Sequence, residues 1–279
     1  MVSRRNFLLS AAGVVTGTIG VCAYTRYVEP TWLDVTARPM PIRNLPTSLV
    51  GKTLVQLSDI HVSEMVEDAY VLDTFARVRA LNPDIVLYTG DFTSYHPNRY
   101  NHAESVYSTM VKGRLGTFAS LGNHDYGEQW KHPEDAARIT AILQNLGVTV
   151  LVNAQADVNG LRIVGLGDLW AHTFDPATAF AGVTRDIPTI AMSHNPDTVD
   201  LGGWESFDGW ILSGHTHGGQ CKPPFLPPPV LPVRNRRYTC GLFELDPART
   251  MYISRGVGTY LPVRFNVRPE VTVFTLTAA

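Results

Sequence analysis

Five short apolar runs in this chain each end in a polar motif built from aspartate, asparagine or histidine, and no other feature restricts the fold as much. Thr53 to Leu57 leads into Ser58-Asp59-Ile60-His61. Ile85 to Tyr88 leads into Thr89-Gly90-Asp91, and Thr117 to Leu121 into Gly122-Asn123-His124-Asp125. Thr189 to Ser193 runs into His194-Asn195-Pro196, and Gly209 to Ser213 into Gly214-His215-Thr216-His217-Gly218-Gly219-Gln220. Short apolar runs bounded by Gly, Asp and Asn read as buried strands. Between them, Val71, Leu72, Phe75, Val78 and Leu81 recur at helical spacing over 69–81, stopped by Asn82-Pro83. A second helix is expected near 103–110. A third is expected over 133–146, with Pro133 in its first turn and Gly147 past its end. In layered α/β proteins sites assemble where strands end, and five of the nine histidines fall in these motifs.

The second half adds expected strands over 148–152, 161–165, 238–244, 251–254 and 271–276. Residues 29–52 carry four prolines and read as a linker, with an edge strand at 32–36. Pro223 to Pro232 holds six prolines in ten residues, which makes a stiff, extended connector or a rim beside a site. The division that follows is 1–28 as a leader, 29–52 as linker and first edge strand, and 53–279 as a catalytic domain.

The leader reads Ser3-Arg4-Arg5-Asn6-Phe7-Leu8-Leu9 before a small-residue apolar stretch to Ala23. Paired arginines ahead of a mildly apolar segment resemble a twin-arginine export signal; an ordinary signal peptide or a short membrane anchor has the same outline. No Ala-x-Ala precedes Tyr24, so an uncleaved anchor stays open. Export by the twin-arginine machinery would put the protein in the periplasm or on the outer face of the cytoplasmic membrane. Beyond the leader no stretch is apolar enough to cross a bilayer. Cys221 and Cys240 remain, as a bridge or as two unrelated thiols. A net charge of −2 and the lack of a basic stripe argue against nucleic acid as a partner.

The motifs carry chemistry together more than singly. On an extended segment Asp59 and His61, two residues apart, would point the same way and reach one metal, as would His215 and His217. Asp91 has two oxygens and can bridge two cations. Asn123 offers a carbonyl oxygen, His124 a proton, and Asp125 a carboxylate able to hold the His124 ring in one tautomer. Gly214, Gly218 and Gly219 let the backbone crowd a metal centre. Each motif has a plainer explanation: a capping Asp beside a surface His, a polar turn, a structural His. His96, His102, His132 and His172 lie outside the pattern.

Taken in order, Asp-x-His, Gly-Asp, Gly-Asn-His-Asp, a lone His and Gly-His-x-His resemble the calcineurin-like metallophosphoesterase superfamily, with no element substituted. Ser58 to His61, Gly214 to Gln220, Ser254-Arg255-Gly256-Val257-Gly258 and Pro262-Val263-Arg264 look like its bacterial group of twin-arginine-signal phosphodiesterases, and are similar to lipid-linked sugar-nucleotide hydrolases. The resemblance implies an α/β (α+β) architecture of two packed mixed β-sheets flanked by helices, the four-layer metallophosphoesterase fold. It implies two divalent or trivalent ions such as Mn, Fe or Zn, one held by Asp59, His61 and His217, the other by Asn123, His194 and His215, with Asp91 between them. The two ions, about 3.5–4 Å apart, would activate a bridging hydroxide for in-line attack on phosphorus, with His124 as general acid steered by Asp125.

The expected activity is a metal-dependent phosphodiesterase or pyrophosphate hydrolase; a phosphomonoesterase, a nuclease or a metal-free scaffold are the alternatives on the same fold. The substrate expected is a phosphate ester, a lipid-linked one included, handled at a membrane surface. Trp170 and Phe225 would form an apolar rim, and Arg255 and Arg264 would meet a second phosphate. The plainer reading leaves those aromatics in the core.

Overall fold

The structure, a computed structural model, describes residues 3–94 and 99–279. The apolar runs are strands, and they assemble into two six-stranded mixed sheets. The first sheet contains β1 (Asp34–Ile42), β2 (Thr53–Leu57), β3 (Ile85–Thr89), β4 (Gly116–Ser120), β5 (Thr149–Val150) and β12 (Glu270–Ala278), in the spatial order β1-β12-β2-β3-β4-β5. The second contains β6 (Ala154–Val158), β7 (Leu161–Gly165), β8 (Thr189–Met192), β9 (Gly209–Ser213), β10 (Gly241–Glu244) and β11 (Arg249–Ile253), ordered β10-β11-β9-β8-β7-β6. Among the described residues the α-helices are α1 (Arg4–Ala23), α2 (Asp68–Ala80), α3 (Arg99–Tyr107), α4 (Pro133–Asn145) and α5 (Pro176–Ala179).

Alternation along the strands explains the layering. Leu54, Ile85 and Leu87 face inward and meet Ile163, Ile190, Met192 and Leu212 of the second sheet. Val55, Leu57, Val86 and Tyr88 face outward and are covered by Val71, Phe75 and Val78 of α2 and by Ile139 and Leu143 of α4. On the far side, Val164, Ala191 and Ile211 are covered by Phe180, Trp204 and Phe207. The result is the four-layer metallophosphoesterase fold that the motif order implies. Polar residues also lie between the sheets, Gln56 among them. Gln56 Nε2 donates to Thr89 Oγ1 and to the Ser213 carbonyl, both at 3.0 Å, and so ties the site ends of β2, β3 and β9 together.

Two details of the strands differ from expectation, and the two cysteines take one of the two states left open. The segment read as a linker holds β1, nine residues long and paired in parallel with β12 at the edge of the first sheet. Pro39 and Pro41 fit there because an edge strand leaves one side unpaired. β6 was not foreseen: Ala-Gln-Ala-Asp-Val has little strand preference and forms the outer edge of the second sheet. Cys221 and Cys240 are free thiols, the one joined by its backbone to Phe265 and the other packed near Gly218.

Candidate active site

β2, β3, β4, β8 and β9 are mutually parallel within their sheets, so their C-terminal ends lie together at one end of the sandwich. The backbone there does not continue as extended strand. Asp59, His61, Asp91, His215 and His217 all have positive φ, between 49° and 69°. For non-glycine residues that region is sparsely populated and costly, and it concentrates at functional sites. Asp59 and His61 therefore converge by a left-handed turn and not by the i, i+2 alternation expected of a strand. Glycines allow the approach. A Cβ at Gly122 would sit 2.2 Å from Asp91 Oδ1, and one at Gly214 would sit 2.2 Å from Asp59 Oδ2.

Two ligand sets result. Donor atoms of Asp59, His61 and His217 lie within 4.8 Å of one another, and so do those of Asp91, His194 and His215. Asp91 Oδ2 faces both sets, 3.5 Å from His61 Nε2 and 3.2 Å from His194 Nε2. Each set meets the other through this carboxylate.

The imidazoles are oriented from behind. His61 Nδ1 lies 3.0 Å from Ser94 Oγ, and His194 Nδ1 lies 2.7 Å from the Thr89 carbonyl, to which it donates. That turns Nε2 of each ring into the site. Asn123 Oδ1 and Nδ2, His194 Nε2 and His215 Nε2 are buried with no hydrogen-bond partner in the protein. Buried polar atoms are rarely left so, and a nitrogen- and oxygen-rich set of this kind suits a transition-metal ion. The donors present fit two such ions.

Burial dominates the electrostatics. It pushes the imidazoles of His61 and His215 down to about 3 and that of His217 well below its ordinary value, so all three are neutral and open to a cation. Burial would also lower His194, but the carboxylates of Asp91, Asp59 and Asp168 outweigh it and hold that ring well above the ordinary histidine range. Asp59 is raised by burial to about 6.

Residues 52–219 match the family described as calcineurin-like phosphoesterase. The chain belongs to that family. It is 32% identical over 283 residues to phosphodiesterase YaeI of Escherichia coli (strain K12), covering 99% of this chain and 100% of the relative. It is 31% identical to the uncharacterized metallophosphoesterase YkuE of Bacillus subtilis (strain 168), covering 99% of this chain and 98% of the relative. It is 26% identical to the UDP-2,3-diacylglucosamine pyrophosphatase LpxG of Chlamydia muridarum, covering 95% of each chain.

The surroundings of the site in this phosphoesterase differ from expectation at several residues. Asp125 does not touch the His124 ring. Its carboxylate accepts the backbone N–H groups of Asp91, Phe92, Thr93 and Gly122 at 2.8–3.2 Å, so it holds the β3 and β4 loops in register. The His124 ring instead packs against His61 and Tyr260, each at 5.1 Å between centroids. It lines the open cleft.

Arg264 is fully buried and donates to the carbonyls of Arg255, Gly256, Gly258 and Val267. Arg255 is held by Glu270 and Asp34 at 3.0 Å each. Both guanidinium groups are engaged by protein partners and brace the loop behind His217. Trp170 is in the site, edge-on to His215 at 4.3 Å and tilted against Trp130 at 4.5 Å. Phe225 is fully exposed and does not line the cleft; Pro229, Val230 and Pro232 of the proline run do.

The cleft widens from the ligand sets into a cavity of about 980 Å³ whose lining includes Ser94, His124, Trp130, Trp170 and Tyr260. Trp130, Tyr260 and Asp168 carried no signal at the level of motifs. Asp168 is buried, and its Oδ1 accepts the N–H groups of Trp170 and Ala171 at 2.8 Å, which fixes the loop that presents Trp170. Of the histidines outside the pattern, His102 pairs with Asp68 and His132 with Glu134, and His172 lines the outer cavity. His96 falls outside the described residues.

Proposed function

We propose that this metallophosphoesterase hydrolyses a phosphodiester or a pyrophosphate, with one ion held by Asp59, His61 and His217, a second by Asn123, His194 and His215, and Asp91 shared between them. The observation that carries this reading is the single Asp91 oxygen within 3.5 Å of an imidazole from each set. Bound there, ions of the Mn, Fe or Zn kind supply Lewis acidity toward a phosphate and lower the pKa of water.

The chain's own groups do the rest. His124 stands in the cleft beside the ligand sets and is free of any carboxylate partner among the described residues, so it is the group able to give a proton to the leaving oxygen. Its backbone N–H donates to Asp91 Oδ1 at 2.9 Å, which fixes its distance from the shared carboxylate. Asp125 keeps the two loops at that separation. Trp130, Trp170 and Tyr260 exclude water from one wall and give an apolar surface to the rest of the substrate.

An amphipathic substrate suits that wall. LpxG, the pyrophosphatase relative, is named for a diacylated sugar nucleotide, which supports a lipid-linked ester here. Arg4 and Arg5 in the first turn of an apolar helix support export through the twin-arginine route, with the catalytic domain in the periplasm or on the outer face of the membrane. The test is kcat/KM for a small soluble diester, a nucleotide pyrophosphate and a lipid-linked pyrophosphate, in wild type and Trp170→Ala. A lipid preference that falls in the variant supports the reading. Turnover of monoesters alone would sink it.

A further inference from the structure

Helix α1 has twenty residues, about 30 Å at 1.5 Å per residue, which matches the hydrocarbon thickness of a bilayer. Its apolar window has a mean hydropathy of 1.7, and none of it is buried against the protein. It does not end in a free linker. A helical turn, Tyr24–Val28, continues it without a break, and the Tyr24 N–H still donates to the carbonyls of Gly20 and Val21.

The foot of this helix is fastened to the catalytic domain. The Thr25 carbonyl accepts the Arg264 N–H at 2.9 Å. Glu29 is buried, and its Oε1 accepts the Val267 N–H at 2.6 Å. The Arg268 guanidinium lies 4.5 Å over the Trp32 ring. The same stretch of chain is tied on its other side to the metal loop and the proline run. Phe265 N–H donates to the Gln220 carbonyl at 2.9 Å, Lys222 N–H to the Phe265 carbonyl at 2.8 Å, and Gln220 Nε2 to the carbonyls of Leu261 and Val263.

The segment 258–268 thus joins the helix foot, the mouth of the cleft and the proline run. Around it stand exposed apolar side chains: Tyr27 at the foot, Tyr260 and Leu261 at the mouth, and Phe225, Leu226 and Val230 on the proline run. Phe225, outside the cleft, has no role in the chemistry. Exposed apolar side chains grouped along one segment beside a membrane-length helix suit a bilayer contact.

We propose that α1 is retained as an anchor and that this rim seats in the same bilayer, so that the cleft opens at the lipid surface. This rests on reading α1 as a membrane segment but not on the phosphoesterase activity. Because the foot is fastened by Thr25 and Glu29, the catalytic domain cannot swing away from the membrane on a tether. A lipid-borne phosphate would then enter the cleft without leaving the bilayer.

The test uses the full chain, with its three native cysteines changed to Ser, carrying one fluorescent label and reconstituted in vesicles with brominated acyl chains. Labels at Tyr27→Cys and Phe225→Cys should be quenched. A label at Glu244→Cys should not, because Glu244 is at the end of β10 opposite the site. Quenching at 225 no greater than at 244 would overturn the seated rim, and an intact mass lacking α1 in membrane-extracted protein would overturn the retained anchor. Neither readout needs substrate or metal, so a failure of the hydrolase reading leaves them interpretable. In the unlabelled chain, Tyr27→Asp with Phe225→Asp should keep turnover of a soluble diester and lower that of a vesicle-borne diester by about tenfold or more, as expected for two aromatic side chains leaving the bilayer. An unchanged ratio between the two substrates, or equal loss on both, would count against the rim.

Discussion

His61 Nε2 and His217 Nε2 face each other across 3.0 Å, although the residues are 156 positions apart in the chain. Both rings are buried and held neutral. Two lone pairs at that separation repel unless a proton or a cation lies between them. One shared N–H satisfies the pair, and with the carboxylate of Asp59, 3.3 Å from His217 Nε2, the three donors also form a set that suits a cation. The strained turns at Asp59, His61, His215 and His217 are then understandable. They are the cost of bringing ligands from β2 and β9 to one point.

Asp91 should matter to both ligand sets. Asp91→Asn is expected to lower the occupancy of both metals together, since one charged oxygen serves both. Elemental analysis of the purified variant checks this. Loss of one metal with the other at full occupancy would reassign Asp91 to a single set, and near-normal turnover with both metals bound would remove its bridging role.

His124→Asn should keep both metals and lose about 10²–10⁴ in rate, the usual range for general acid catalysis. The loss should shrink for a nitrophenolate leaving group, which needs no proton. Equal losses for good and poor leaving groups would argue against proton donation by this ring.

Asp125 offers a contrast within the same motif. Asp125→Ala leaves four buried backbone donors without their acceptor, so it should lower stability by about 2–4 kcal/mol and weaken metal binding at Asp91. Urea unfolding with metal analysis reads both effects. If Asp125 served only to steer His124, the variant would behave as His124→Asn does, with stability and metals intact.

Much of this arrangement is legible in the sequence, for identifiable reasons. The strands 53–57, 161–165 and 209–213 are bounded as expected because apolar runs stop at polar or glycine residues that cannot continue a buried strand. The ligand residues are legible because His and Asp at strand ends have few structural uses. What the sequence conceals is conformation and partner choice. The left-handed φ values at the ligands have only a weak residue-type signature: Asp and His enter that region more readily than most side chains, but far less readily than glycine. The four N–H groups taken by Asp125 come from residues 91, 92, 93 and 122, and no local pattern announces them. Arg264 illustrates the same limit: a surface-type residue is the largest fully buried side chain because four carbonyls happen to converge on it.

The export reading turns on Arg4 and Arg5. Changing both to Lys should block translocation by the twin-arginine route, because a planar guanidinium pair is not replaced by two ammonium groups. Fractionation of cells expressing the variant checks this. Normal export of the Lys-Lys form would assign the leader to the general secretory route.

The most direct test of the central claim is a titration of Mn²⁺ into chelator-treated protein, with bound metal and turnover of a small phosphodiester followed on the same samples. Binding is expected to saturate at two ions per chain, with turnover rising as the second site fills. Full turnover with no bound metal, or two bound ions and no hydrolysis of any phosphate ester, would contradict it.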